Sequence, residues 1–321
     1  MKSFAAAAIL GLVMANEEKY IQFMAEHNRS FGTREEFEFR MNLFMQREAE
    51  IMAENANPEN TFTLAHNKFS DRTEAEFMKV LSYRSQKHGY YMTYIAPLAP
   101  TNATSVNWVT AGAVTAVKNQ GSCGSCWTFS STGAMESAFH IDTGAKLVNL
   151  AEQQLVDCDR ATGNNGCNGG DMYNAFQYAH EYGMMKMADY RYTARDGKCA
   201  YDESKVVMKV VESARVPHND STSLKAALAD RPVSVAIEAD RTVFQSYSSG
   251  VLNSTKCGTD LDHGVLAVGF GTENGQEYFL VKNSWGSSWG ENGYIKIAVQ
   301  DGEGICGIQM DPSYPTKTSK W

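Results

Sequence analysis

The chain has 321 residues, 43% hydrophobic and 21% charged, with a net charge of −8 at neutral pH. That length and composition fit two or three soluble domains with a sizeable buried core. The acidic balance argues against nucleic acid or an anionic membrane as the main partner.

The opening residues, "MKSFAAAAILGLVMA", set Lys2 before an apolar run from Phe4 to Met14, with Val13 and Ala15 as small residues before a cut. This pattern predicts a secretory signal over 1–15, with a buried N-terminal helix as the alternative. No later stretch has the eighteen or so continuous apolar residues of a membrane span. The seven cysteines, Cys123, Cys126, Cys158, Cys167, Cys199, Cys257 and Cys306, all follow residue 120. In an oxidising compartment an even set pairs and one thiol is left over. N-glycosylation patterns begin at Asn28, Asn102, Asn219 and Asn253.

Residues 16–82 are charged, rich in Glu, Met and Phe, and nearly free of Gly and Pro, which favours helix. Phe37, Met41, Phe44 and Ile51 recur at helical spacing with Glu36 and Arg40 at i,i+4, predicting a helix over 34–55. Residues 83–105, with Pro97 and Pro100, carry neither period and read as an extended, protease-accessible linker. Beyond Val106 the chain turns rich in Gly, Cys and aromatics. Helices are expected over 126–143, 151–158 and 171–182, then strands in "RPVSVAIEA", "HGVLAVGFG", "EYFLVKNSW" and "GYIKIAVQ". A helical lobe followed by a strand-rich one is an α+β arrangement with a natural cleft between lobes.

The stretch "KNQGSCGSCWTFS" (118–130) admits three readings. A zinc site needs four spaced ligands, and no second Cys-x-x-Cys follows. A thioredoxin-like pair needs both thiols free and a βαβ context. The third reading makes Cys123 structural and Cys126 a nucleophile in the first turn of a helix capped by Ser125, where the dipole and unpaired N–H groups favour a thiolate.

Cys123-Gly124-Ser125-Cys126-Trp127, followed far downstream by His263 in "DLDHGVLAVGFG" and Asn283 in "VKNSWGSSWGENGY", resembles the papain-family cysteine proteases, close to the cathepsin L group. The resemblance implies a papain-like two-lobed fold, with a helical left lobe, a β-barrel-like right lobe and the active site in the cleft. It implies Cys126 as nucleophile, His263 as base, Asn283 as orienter of the imidazole and Gln120 as oxyanion donor, with Trp285 shielding the His263–Asn283 bond. It pairs Cys123 with Cys167, Cys158 with Cys199 and Cys257 with Cys306. Gly169 and Gly170 become the wall along which a substrate backbone runs. Met172, Ala236, Leu261 and Asp311, with Asp171 near the rim, line the pocket for the second residue before the scissile bond, and Asp262 and Trp285 complete the substrate set. Asp311 suggests that the pocket also takes Arg or Lys; the alternative has it capping a turn and facing solvent.

The N-terminal third resembles the family's inhibitory prosegment. Glu36, Arg40, Phe44, Ile51 and Asn55 match its helical signature, with Arg47 where Asn is usual; Asn67, Phe69 and Asp71 match the following motif, with Ala65 in place of Gly. Thr128 and Ala151 are further departures, from Ala and Ser. The implied plan is a signal over 1–15, an inhibitory propeptide over 16–103 and a peptidase over 104–321. The implied activity is that of a cysteine endopeptidase zymogen, activated by propeptide removal at acidic pH, with Asp71 among the pH-sensitive groups. Neither metal nor organic cofactor is expected. Expected partners are protein and peptide substrates, its own propeptide and cystatin-like inhibitors; the enzyme would be a monomer in a lysosome, a digestive vacuole or outside the cell. The rival is a catalytically silent homologue that only binds peptides or inhibitors.

Overall fold

The computed structural model describes residues 2–84 and 98–321, with side chains from residue 14 onward. The N-terminal run forms one helix, Lys2–Glu26, and a turn leads into a second, Arg34–Asn55. The second begins where its local chemistry says it should: Thr33 Oγ1 accepts from the Glu36 N–H, and Glu35 and Glu36 occupy the first turn. Tyr20, Phe23 and Phe44 bury one face of the helix pair, while Ile51 turns away to another core.

That other core explains how the N-terminal segment is held. Ile51, Phe62, Leu64, Phe69, Phe77, Val80 and Leu81 are buried in the same cluster as Phe244, Tyr247, Phe279, Trp285 and Trp289 from the second half of the chain. Strand Phe62–Leu64 pairs with Tyr247–Leu252, and Thr61 Oγ1 donates to the Val251 carbonyl at 2.6 Å. The segment is thus built into the molecule's core, each buried apolar side chain gaining about 1.5–3 kcal/mol over exposure.

From Phe62–Leu64 the sheet passes through Tyr247–Leu252, Tyr294–Ala298, Gln276–Lys282, His263–Glu273, Val233–Ile237, Ser313–Lys320 and Val206–Arg215 to Met184–Met185. Neighbours along this path are antiparallel apart from Tyr247–Leu252 against Tyr294–Ala298. The four strand motifs expected from sequence form Val233–Ile237, His263–Glu273, Gln276–Lys282 and Tyr294–Ala298. Ser313–Lys320 was not expected as a strand: "SYPTKTSK" is polar and contains proline, yet its register along Val206–Arg215 is interrupted after Pro315.

The helical lobe comprises Cys126–Thr143, Glu152–Cys158 and Met172–Tyr182 around Trp127, Met135, Leu155 and Phe176. The two lobes meet where Cys126–Thr143 crosses strand His263–Glu273. Ser130 Oγ donates to the Val265 carbonyl at 2.6 Å, and a Cβ on Gly133 would lie 2.8 Å from Leu266.

Two expectations are corrected. Ser125 precedes the central helix but its side chain makes no cap bond; its Oγ lies 2.6 Å from the Tyr192 hydroxyl instead. The stretch 83–105 is not uniformly a linker, because Tyr83 pairs with Gly170 in the cleft and Leu98 packs on the core. Residues 85–97, within that expected linker, lie outside the described residues.

Candidate active site

Cys126 opens the central helix and is fully buried. Its sulfur is free, whereas Cys123, three residues earlier, is joined to Cys167; Cys158–Cys199 and Cys257–Cys306 complete the pairing implied by resemblance. A bonded Cys123 removes the redox-pair reading. The Gly264 N–H donates to Cys126 Sγ at 3.4 Å, bringing the residue after His263 against the thiol.

His263 begins its strand, and its Nε2 lies 2.9 Å from Asn283 Oδ1. Asn283 Oδ1 also accepts from the Ser284 N–H at 2.7 Å, so this oxygen is the acceptor and Nε2 carries the proton. The ring's other nitrogen, Nδ1, is buried with no hydrogen-bond partner among the described residues, which leaves its lone pair uncommitted. Trp285 stacks on the imidazole, with centroids 4.8 Å apart and planes at 29°, closing one face to water. Burial pushes the Cys126 thiol up and drives the His263 imidazole down to about 4, against the Asn283 bond and the Asp262 charge that raise it. With the cleft covered, both groups are held neutral.

Gln120 is oriented from behind by Ser284 Oγ, which donates to Oε1 at 2.7 Å. Its Nε2 donates to the Val80 carbonyl at 2.8 Å and to the Cys123 carbonyl at 3.0 Å. Lys118, two residues earlier, ties this loop to the helical lobe by pairing with the buried Glu136 (2.7 Å) and Glu152 (2.5 Å). Thr128 donates from Oγ1 to the Ser125 carbonyl at 2.8 Å, so the extra hydroxyl in the helix is internally satisfied. Ala151, which lacks a capping oxygen, stands as N-cap of Glu152–Cys158.

Ser82–Arg84 lies across this constellation. Gly170 donates to the Ser82 carbonyl at 3.2 Å, Arg84 donates to the Gly170 carbonyl at 3.1 Å, and Tyr83 donates to the Asp262 carbonyl at 2.8 Å. A Cβ on Gly169 would come within 2.4 Å of the Ser82 carbonyl oxygen. Glycine there admits a main chain at β-pairing distance. Ser82 Oγ is 3.5 Å from Cys126 Sγ. Residues 80–82 therefore contact both Cys126 and Gln120.

Met172 and Ala236 are buried in the same cluster as Tyr83, with Leu261 partly buried against it. Asp311 is 6% exposed, buried rather than turned to solvent, and pairs with Arg215. Asp171, expected near the rim, is deeper: its Oδ1 caps Met172–Tyr182 by accepting from Tyr173 N–H, and its Oδ2 pairs with Arg215 at 3.2 Å. Sequence reading missed Val80, Tyr83, Ser284 and Arg215. Val80, Tyr83 and Arg215 sit in no recognisable motif and are brought in by long-range packing, whereas Ser284 follows Asn283 within "VKNSWGSSWGENGY" and could have been found there.

The N-terminal contacts follow the motif residues. Arg40 meets Glu36 (2.6 Å) and Glu76 (2.7 Å), and Asn55 exchanges bonds with Leu64. Asn67 donates to the Gln245 carbonyl, and Phe69 and Phe77 point their edges at Trp285 with centroids 5.0 and 5.4 Å away. Buried Asp71 holds Arg29 at 2.9 Å and accepts from Tyr20. Arg47, the departure from the helical signature, bonds Thr242 of the second half and Glu50.

Comparison with known proteins agrees with this geometry. Residues 102–316 match the family described as papain family cysteine protease, and residues 20–77 match the cathepsin propeptide inhibitor domain. Digestive cysteine proteinase 3 of Homarus americanus is 42% identical over 97% of this chain and 99% of its own length. Procathepsin L of Mus musculus is 42% identical over 92% and 90%. The solved digestive procathepsin L2 of Tenebrio molitor larval midgut superposes with a TM-score of 0.87 at 36% identity, covering 94% of this chain and 99% of that one. The chain belongs to the papain family of cysteine proteases, as a cathepsin L-like endopeptidase zymogen carrying its own inhibitory propeptide.

Proposed function

We propose that Cys126, His263, Asn283 and Gln120 carry out peptide hydrolysis through an acyl-enzyme, and that acid releases the propeptide that blocks them. Cys126 Sγ attacks the scissile carbonyl carbon as its proton passes to His263 Nδ1. The tetrahedral oxyanion is met by Gln120 Nε2 and the Cys126 N–H; collapse expels the amine with a proton returned by His263, and water completes the cycle in reverse. The observation that carries this reading is the Val80 carbonyl on Gln120 Nε2, with Ser82 against Cys126. A carbonyl oxygen already sits where the oxyanion donor points.

Processing would divide the chain into a signal over 1–15, a propeptide over 16–103 and the peptidase over 104–321. The relatives' names, digestive proteinases and procathepsin L, support a secretory route to a lysosome, a digestive vacuole or the exterior. No helix among the described residues is long and apolar enough to cross a membrane. A monomeric peptidase with cystatin-like inhibitors as further partners fits an active site closed by a segment of the same chain. Asn102 and Asn219 are exposed and suit glycosylation, whereas the Asn253 amide donates to the Glu59 carbonyl and would lose that bond if modified.

Acid-processed protein should hydrolyse unstructured peptides internally, with activity abolished by iodoacetamide. Correctly processed protein with a free Cys126 and no peptidase activity would favour the silent binder instead.

A further inference from the structure

Under the cleft floor three charged side chains meet in a space almost closed to water. Arg215, with its side chain 7% exposed, ends strand Val206–Arg215 and binds two carboxylates: Nη1 donates to Asp311 Oδ1, and Nη2 donates to Asp171 Oδ2. Its guanidinium also lies 4.8 Å from the Tyr173 ring centroid, which fixes the plane of the fork. Asp171 is further committed to its helix cap. That leaves Asp311 Oδ2, and the group bonded to it is the hydroxyl of Tyr83.

Tyr83 belongs to the propeptide side of the chain, yet its ring is buried with Met172 and Ala236. The pocket therefore combines apolar walls, which accept any large side chain, with one oriented acceptor at the depth of a phenolic oxygen. The positive charge that a carboxylate floor would otherwise seek from a ligand is already supplied by Arg215. An incoming ammonium or guanidinium would have to shed its water, share Asp311 with Arg215 and sit beside a like charge. A phenol pays a far smaller desolvation cost and adds a charge-assisted hydrogen bond.

We infer that, once Tyr83 has left with the propeptide, the Asp311–Arg215 pair makes this pocket selective for tyrosine in the substrate, ahead of phenylalanine and ahead of the basic residues that Asp311 alone would suggest. Asp311 is the specificity-determining acceptor, and Arg215 is a positioning residue that orients it and excludes cations. This rests on the chain acting as a peptidase in the cleft between Gly170 and Asp262.

The test is cleavage by the acid-processed enzyme of four fluorogenic peptides that differ only in the second residue before the scissile bond: Tyr, Phe, Leu or Arg. The kcat/KM ratio of Tyr to Phe should be about tenfold or more, the size of a charge-assisted bond that only one ligand can make, with Arg below Phe. Asp311→Ala should bring the Tyr to Phe ratio to within about twofold of unity, because phenol and phenyl then meet the same surface. Arg215→Met should raise Arg relative to Tyr; should that variant not fold, the other two enzymes decide alone. A wild-type Tyr to Phe ratio near one, an Arg peptide cleaved faster than the Tyr peptide, or a ratio unmoved in Asp311→Ala overturns the inference while leaving the peptidase intact. Absence of cleavage of all four peptides, with Cys126 free to alkylate, overturns the peptidase reading and this inference with it.

Discussion

Truncating Phe77 to alanine in the full-length zymogen tests how the propeptide is anchored. Phe77 is 2% exposed; its ring packs edge-on against Phe69 with centroids 5.0 Å apart and against Trp285 at 5.4 Å. Trp285 in turn stacks on His263, so the aromatic run connects the propeptide to the His263 imidazole. Removing a buried phenyl ring costs about 3–5 kcal/mol, with transfer and cavity terms together. Phe77 touches both a propeptide ring and a peptidase ring, so about 2 kcal/mol falls on docking if the loss divides between them, or roughly 30-fold in the population of undocked propeptide. The readout is carboxymethylation of Cys126 at neutral pH, since the covered thiol reacts only when the segment lifts. The variant should react at least about 30-fold faster than wild type. Phe39→Ala, at a position 46% exposed, should leave the rate alone. Equal rates for Phe77→Ala and wild type would show that the backbone pairing of Ser82–Arg84, and not the aromatic anchor, holds the cleft shut.

Asn283→Ala should lower kcat on the order of 100-fold with little change in KM, because the His263 ring loses the acceptor that sets its tautomer; an unchanged kcat would remove Asn283 from the catalytic set. Gln120→Ala should lose about 100-fold in kcat, the usual size for one oxyanion donor, measured on the processed enzyme. The pH dependence of processing has a sign that the burial dictates. His27 and His66, packed against Phe23 and Phe44 of the propeptide itself, are held below the usual imidazole value of 6.5 chiefly by burial, so the unfolded segment takes up protons first and the propeptide fold on which docking depends weakens as pH falls through 6.5. Glu76, held down to about 2 chiefly by its bond to Arg40, keeps its contribution above 4.5 and loses it only toward pH 2. Processing should therefore accelerate between pH 6.5 and 5, and His66→Gln should flatten that dependence, measured by electrophoresis against time. In the peptidase, Asp159 is pushed up to about 7 by burial, so the folded state binds its proton more tightly and stability declines from pH 4 to 7. Asp159→Asn should reduce that decline in thermal melts.

The central helix and its free cysteine were legible because several local signals agree: Gly124 and Gly144 flank a run most of whose side chains are buried, and the Cys-Gly-Ser-Cys-Trp order is specific. Helix Arg34–Asn55 was legible for similar reasons, since its apolar period and the Glu36–Arg40 pair lie in one stretch. The pocket floor was only half legible. Asp311 stood out by type, but Arg215 lies 96 positions earlier and its role depends on the register of Ser313–Lys320 against Val206–Arg215, where Ser313 faces Arg215. Tyr83 reads from sequence as the start of a linker because nothing near it alternates. Gly170, which it faces across the bridge, and Asp262, whose carbonyl accepts its N–H, meet only when the two lobes close on the cleft.

The sulfur of Cys126 carries the proposed chemistry. After acid processing, the enzyme should be trapped with a slowly deacylating peptide ester and digested for mass spectrometry. One acyl group per molecule on the peptide containing Cys126, rising and decaying in step with product, is the expected result. Turnover that continues with Cys126 alkylated, or an acyl group found elsewhere, would contradict it.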